Sequence, residues 1–121
     1  MGVLGINHIA FRSHDPAALR AFYLDLTAGE SLDGAHDPIR LGHTLLVFFT
    51  SERRYHDSDP DELAFDVDRQ GFSAILDRAR QRGVLERGPV EHTPWSKGFY
   101  VRDPEGRRLE FICDDHSVYW T

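Results

Sequence analysis

The order of predicted strands and helices occurs twice along this chain, and this repeat limits its possible folds more than any other feature. An alternating strand pattern, a helical pattern and three strand candidates come first, and the same order restarts at Asp61. The residues repeat as well, because Asn7-His8-Ile9-Ala10-Phe11-Arg12 aligns with Asp61-Glu62-Leu63-Ala64-Phe65-Asp66. A module of roughly 55 residues cannot bury both faces of its sheet alone, so we expect the two modules to pair.

The periodicity predicts the bounds of these elements. Module one has a strand, a helix capped by Asp15 and ended by Gly29, and three more strands: Val3–Arg12, Pro16–Gly29, Glu30–Leu32, Pro38–Leu41 and His43–Thr50. Module two follows the same order: Asp61–Val67, Gly71–Arg82, Val84–Glu91, Gly98–Arg102 and Arg107–Cys113. The predicted fold class is α+β, with two βαβββ modules forming a curved, barrel-like mixed sheet and the helices outside.

Length and composition indicate a single domain of 121 residues. Its parts are module one at about 3–51, a linker at about 52–60, module two at about 61–113 and a tail at 114–121. No stretch approaches the roughly 18 apolar residues of a membrane span, and the N-terminus lacks a signal-peptide pattern. The single cysteine fits a reducing compartment, and the net charge of −6 argues against nucleic-acid binding. We therefore expect a cytoplasmic protein with neither a membrane nor a nucleic-acid partner.

One acidic residue in the closing strand needs an explanation. Turn residues Asp103-Pro104-Glu105-Gly106 precede a strand that places Leu109 and Phe111 on one face, with Arg108, Glu110 and Ile112 on the other. Glu110 is therefore a lone acid in an apolar strand. Its carboxylate must be solvated, paired with a cation such as Arg108 or Arg12, or bound to a metal ion.

The repeat gives Glu110 two potential partners. His8 and Glu62 occupy matching positions in the two module-opening strands, and both lie opposite the apolar face that would pack on the helices. One nitrogen and two carboxylate oxygens suit Mn, Fe, Co, Ni or Zn as a divalent ion. The simpler alternatives are a hydrogen-bonded histidine at the core edge for His8 and an exposed acid at a strand start for Glu62.

With these residues in place, the chain resembles the vicinal oxygen chelate superfamily of glyoxalases, bleomycin-resistance proteins and extradiol dioxygenases. The resemblance rests on the doubled βαβββ pattern and on the segments NHIAF, ELAFDV and FYVRDPEGRRLEFI. It implies metal ligands at His8, Glu62 and Glu110, and a substrate contact at Tyr100. The strand Thr44–Phe49 lacks the fourth ligand of glyoxalase I, and Glu62 stands where most dioxygenase-type and fosfomycin-type members carry histidine.

Further residues are candidates for contact with a substrate. Trp95 is an aromatic side chain in a loop, and Lys97 and Arg12 are the cations best placed to meet an anionic substrate. The remaining histidines are assigned mostly to turns and to solvent: His14, His36, His43, His56, His92 and His116. His43 has a second interpretation, because it begins the last strand of module one, from which a side chain can reach the cavity. Cys113 lies on the apolar face with Phe111 and is predicted to be buried and inert.

Two functions remain open. The first is a small metal-dependent enzyme that chelates adjacent oxygens of a small-molecule substrate, with Glu62 or Glu110 as a catalytic base, in lyase, isomerase, dioxygenase or thiol-transferase chemistry. The second is a metal-free protein that sequesters an aromatic drug, as bleomycin-resistance proteins do. The three ligand-type residues favour the enzyme. In both cases the resemblance implies a homodimer.

Overall fold

The computed structural model describes Gly2 and residues 5–34, 36–52 and 62–114. The chain divides into two compact units, residues 1–54 and 55–121, and each is built on one four-stranded sheet. No helix among the described residues is long and apolar enough to cross a membrane.

Unit one contains one helix and four strands. In chain order these are β1 (His8–Ser13), α1 (Pro16–Thr27), β2 (Glu30–Ser31), β3 (Ile39–Leu41) and β4 (Thr44–Thr50). The sheet order is β1-β4-β3-β2, with β1 parallel to β4 and the other neighbours antiparallel. The first strand begins at His8, which pairs with Leu45 near the start of β4, whereas the predicted strand began at Val3. Val3 and Leu4 lie outside the described residues.

Unit two repeats this topology. Its elements are β5 (Glu62–Asp66), α2 (Arg69–Gln81), β6 (Leu85–Thr93), β7 (Ser96–Arg102) and β8 (Arg108–Asp114). The sheet order is β5-β8-β7-β6, again with one parallel pair, β5 and β8, and antiparallel neighbours beyond it. The predicted α+β fold of two βαβββ modules is confirmed, with most predicted element ends displaced by a few residues.

The helix ends differ from the predicted ones for reasons that are local. Asp15 caps α1 as predicted, and its carboxylate accepts a hydrogen bond from the N–H of Ala18. Ala28, not Gly29, takes the left-handed conformation at the end of α1, with a φ of 53°. The second helix starts two residues before the predicted Gly71, because Asp68 caps it by accepting from the Gly71 N–H.

Each sheet packs aromatic side chains against its own helix. In unit one, Phe11 of β1 stacks on Tyr23 of α1 with ring centroids 4.8 Å apart. In unit two, Phe99 of β7 lies 5.1 Å from Phe72 of α2 and stacks on Phe111 of β8. These residues alternate with residues on the other face of the sheet, so the packing decides which side chains are left to form a site.

A buried ion pair stabilises the turn between β7 and β8. The Asp103 carboxylate accepts hydrogen bonds from the N–H groups of Glu105 and Arg107, each at 2.9 Å. It also pairs with the Arg107 guanidinium at 2.5 Å, and the two side chains are 0% and 5% exposed. Since β7 and β8 continue directly from this turn, it contributes to their pairing.

We expect Asp103→Ala to destabilise the fold by about 3–5 kcal/mol, because it leaves the Arg107 charge buried without its carboxylate. The measurement is the free energy of unfolding from denaturant titration. Glu30→Ala is the matched control: it removes the exposed Arg40–Glu30 pair and should cost at most about 1 kcal/mol. Equal effects of the two substitutions would contradict this role for the turn.

Candidate functional site

The candidate site of unit two lies on the face of its sheet opposite α2, which we call the open face. In the pairing register, Ala64 of β5, Glu110 of β8 and Tyr100 of β7 are direct neighbours across the three strands. Side chains at paired positions share a face, and Glu62 lies two residues before Ala64. Glu62, Tyr100 and Glu110 therefore all belong to the open face.

Glu110 is nearly buried and is hydrogen-bonded to a histidine. Its Oε2 lies 2.7 Å from Nε2 of His92, and the two side chains are 8% and 33% exposed respectively. The sequence placed His92 in a turn, and this assignment is wrong because β6 extends to Thr93 and includes it. The predicted exposure holds, since His92 is an exposed residue apart from its contact with Glu110. The sequence also allowed an ion pair between Glu110 and Arg108. The Arg108 guanidinium instead lies 3.5 Å from Glu86.

A glycine makes this contact possible. His92 lies on β6 and Glu110 on β8, so the hydrogen bond crosses the intervening strand β7 at Gly98. A Cβ atom at position 98 would lie 2.4 Å from Oε2 of Glu110 and 2.9 Å from Nε2 of His92. Both distances are too short for a side chain, so the absence of a Cβ at Gly98 leaves room for the pair.

Tyr100 belongs to the same cluster. Burial raises the pKa of its phenol above the usual value, and the charge of Glu110 and a hydrogen bond with Glu110 raise it further. The charge of Glu62 also raises the pKa of Tyr100, whereas Arg87, whose guanidinium carbon lies 5.8 Å from the ring centroid, lowers it. Tyr100 is consequently a neutral phenol at physiological pH and can donate a hydrogen bond.

The third predicted ligand, His8, belongs to unit one. It opens β1 as Glu62 opens β5, and its side chain is exposed. Its Nδ1 lies 2.8 Å from the amide oxygen of Asn7. Because that oxygen can only accept, Nδ1 carries the proton and Nε2 of the neutral ring keeps its lone pair, which is the form that binds metal ions.

The predicted metal site needs ligands from both units. Neither unit, over residues 5–34 and 36–52 or 62–114, brings together three His, Cys, Asp or Glu side chains that could hold a metal ion. The donor types nevertheless fit a divalent metal: an imidazole nitrogen with a free lone pair, an exposed carboxylate at Glu62 and a nearly buried carboxylate at Glu110. The combination of His8 with Glu62 and Glu110 stays a prediction.

The four residues predicted to contact substrate lie in different places. Arg12 belongs to unit one, where its guanidinium carbon lies 5.6 Å from the ring centroid of Phe49. Tyr100 lies on the open face of unit two, whereas Lys97 pairs with Cys113 on the face that carries α2. Trp95 and Lys97 line a cavity of about 480 Å³ on that helix side. Its other lining residues are Arg69, Phe72, Ser73, Pro94 and Cys113.

Cys113 is half-buried at this cavity, where the sequence predicted a fully buried thiol. Burial raises the pKa of the Cys113 thiol, and the nearby Arg69 opposes that shift in part. A thiol with a raised pKa holds little thiolate at neutral pH, and thiolate is the nucleophilic form. The predicted lack of reactivity therefore agrees with its surroundings, although the side chain is less buried than expected.

His92 is the site residue that sequence reasoning missed. The available signal was its position in the stretch Val90–Thr93, which alternates weakly and precedes a proline. The pairing of β6 with β7 is irregular, with a register shift between Glu91 and Thr93. This end of the strand therefore lacks the period-two alternation by which a strand is identified in a sequence.

The comparison with protein families gives one match. The sequence model of the Glyoxalase/Bleomycin resistance protein/Dioxygenase superfamily matches residues 5–111. No curated protein matches the chain.

Several solved structures share this fold. Oxidase ChaP-H2 is 24% identical, with a TM-score of 0.76 over 93% of this chain and 94% of its own. A glyoxalase/dioxygenase from Nostoc punctiforme is 24% identical, with a TM-score of 0.77 over 92% of this chain and 91% of its own. Oxidase ChaP-H1 is 20% identical, with a TM-score of 0.74 over 94% of this chain and 98% of its own. At these identities the likeness establishes the fold.

The charges around Tyr100 predict an ordered set of shifts in metal-free protein. We expect Glu110→Gln to lower the pKa of Tyr100 more than Glu62→Gln does, because a neighbouring negative charge opposes formation of the phenolate. Arg87→Gln should raise it, since it removes a favourable positive charge. The measurement is the NMR titration of the Tyr100 ring carbon. An unchanged pKa in Glu110→Gln would contradict the described cluster.

Proposed function

Because the chain belongs to the Glyoxalase/Bleomycin resistance protein/Dioxygenase superfamily, we propose that it is a small metal-dependent enzyme with His8, Glu62 and Glu110 as metal ligands. The observation that carries this proposal is the nearly buried carboxylate of Glu110, held by hydrogen bonds on the open face of its sheet. A buried carboxylate is costly unless it is paired, and ligation of a metal ion is a common reason for a protein to keep one.

The donor set suits a divalent ion of the group Mn, Fe, Co, Ni or Zn. When bound, such an ion would act as a Lewis acid on two adjacent oxygens of a substrate or intermediate. The Nδ1 hydrogen bond from His8 to Asn7 supports the ligand role of His8, because carbonyl acceptors orient metal-binding histidines in this way.

The other groups of the open face have distinct roles in this proposal. Glu62 is exposed at the start of β5, so it has the freedom to accept a proton from a substrate carbon. Glu110 is held in place by His92, which makes it the better fixed ligand and the poorer base. The neutral phenol of Tyr100 donates a hydrogen bond to a substrate oxygen or to Glu110.

The substrate is a small molecule with neighbouring oxygens, and the possible reactions are those of lyases, isomerases, dioxygenases and thiol transferases. The names of two structural relatives, an oxidase and a glyoxalase/dioxygenase, make oxygen-dependent turnover the first reaction to assay. Of the two cations predicted to meet an anionic substrate, Lys97 lies on the helix side of unit two, and Arg12 of unit one stays a prediction. Cytoplasmic location and a homodimer stay predictions from the sequence.

Metal analysis of protein purified without chelator tests the proposal. We expect close to one equivalent of a divalent transition metal in the wild type, and a strong loss of that metal in Glu110→Ala and in His8→Ala. The matched control is Glu91→Ala. Glu91 neighbours His92 in sequence but pairs with Lys97, away from the open face, and its removal should leave the metal content unchanged.

The rival function gives a different result in the same experiment. A protein that holds no divalent metal after incubation with each of the five ions, yet binds an aromatic drug such as bleomycin, would contradict the enzyme and support sequestration. Equal metal contents in Glu110→Ala and Glu91→Ala would contradict the proposed ligand set.

A further inference from the structure

We propose that His92 is a positioning residue that fixes the carboxylate of Glu110 through a hydrogen bond across Gly98. The inference rests on the proposed function, because it requires Glu110 to be a metal ligand. It adds a residue to the site that neither the sequence analysis nor the ligand set includes.

The arrangement spans three adjacent strands. His92 on β6 and Glu110 on β8 both reach over β7, and they meet with Nε2 and Oε2 2.7 Å apart. An ionised carboxylate only accepts, so Nε2 is the donor and the hydrogen bond holds one of the two carboxylate oxygens. The contact is part-buried, with the Glu110 side chain 8% and the His92 side chain 33% exposed.

The neighbouring cations pair with a different carboxylate. Glu86 accepts from Nε of Arg102 at 2.5 Å and lies 3.5 Å from the Arg108 guanidinium. Among the described residues 62–114, the side chain that lies 2.7 Å from the Glu110 carboxylate is that of His92. An imidazole ring with two rotatable side-chain bonds fixes direction, whereas a long flexible cation would supply mainly charge.

Fixing the carboxylate matters for metal binding. A ligand that already points in one direction loses less conformational freedom when the metal ion arrives, so the affinity is higher. Partners that hold metal ligands in this way typically contribute about 10–100-fold to affinity. His92 thus acts through Glu110, without itself contacting the ion.

Gly98 provides a second way to disturb the contact. A Cβ at position 98 would lie 2.4 Å from Oε2 of Glu110 and 2.9 Å from Nε2 of His92, so Gly98→Ala forces one or both groups to move. The substitution leaves both side chains chemically intact. Because it displaces the Glu110 carboxylate as well as the imidazole, its effect on Glu110 should be at least as large as that of His92→Ala.

The experiment titrates metal-free protein with Co²⁺, whose visible spectrum reports the donor set, in competition with a chelator of known affinity. We expect His92→Ala to weaken Co²⁺ binding about 10–100-fold, and Gly98→Ala to weaken it at least as much. The spectrum of the saturated His92→Ala protein should match that of the wild type, because no ligand is lost. His92→Gln, whose amide can donate in place of Nε2–H, should recover much of the affinity.

The controls separate a local effect from unfolding. Gly71→Ala introduces the same methyl group on α2, where the nearest atom is Oδ1 of Asp68 at 3.2 Å, and it should leave the Co²⁺ affinity unchanged. The double variant His92→Ala/Gly98→Ala should bind Co²⁺ about as well as Gly98→Ala alone, because the contact of His92 with Glu110 is already disturbed there. Circular dichroism checks that each variant is folded.

A second readout needs no metal. In metal-free wild type, ¹⁵N NMR should find His92 protonated at Nε2 with slow exchange of that proton, and Gly98→Ala should abolish this signature. Its absence in the wild type would overturn the inference.

The remaining outcomes are distinct. Equal Co²⁺ affinities in wild type and His92→Ala would overturn the inference and leave the proposed function intact. A changed spectrum of saturated His92→Ala would overturn it in favour of a direct ligand role for His92. Failure of the wild type to bind Co²⁺ or any of the other four ions would overturn the proposed function, and the inference with it.

Discussion

The open face of unit two depends on how one nearly buried carboxylate is accommodated. Glu110 lies in a strand between the apolar residues Leu109 and Phe111, and a charge there must find a hydrogen-bonding partner. The partner is His92, two strands away, and the contact is possible because the residue between them is Gly98. An interaction across three strands therefore determines the residue type at the middle one.

The position of Glu110 in turn depends on strand pairing. The β7–β8 turn, with its buried Asp103–Arg107 ion pair, leads directly into a register in which Tyr100 is the cross-strand neighbour of Glu110. A slip of one residue would move Glu110 to the helix side. The register set by the turn therefore decides on which face Glu110 lies, although the Asp103 side chain itself is not part of the open face.

The alternation of the strands also separates two groups of residues that are close in sequence. Lys97 and Tyr100 lie three positions apart on β7, and they belong to opposite faces. Lys97 joins Trp95 at the helix-side cavity, whereas Tyr100 joins Glu110. A set of candidate substrate residues chosen by residue type alone therefore mixes two environments, because side-chain chemistry carries no information about the face on which a residue lies.

Much of this protein follows from its sequence. The doubled βαβββ order, the helix cap at Asp15, and the opposite faces of Leu109 and Glu110 are consequences of local periodicity and capping chemistry. The partner of Glu110 could not be found in this way. His92 lies in an irregular strand with shifted register, and its contact with Glu110 depends on the side-by-side placement of β6, β7 and β8. Local sequence determines the elements and their faces, whereas contacts between residues distant along the chain arise from strand pairing, which only the tertiary structure decides.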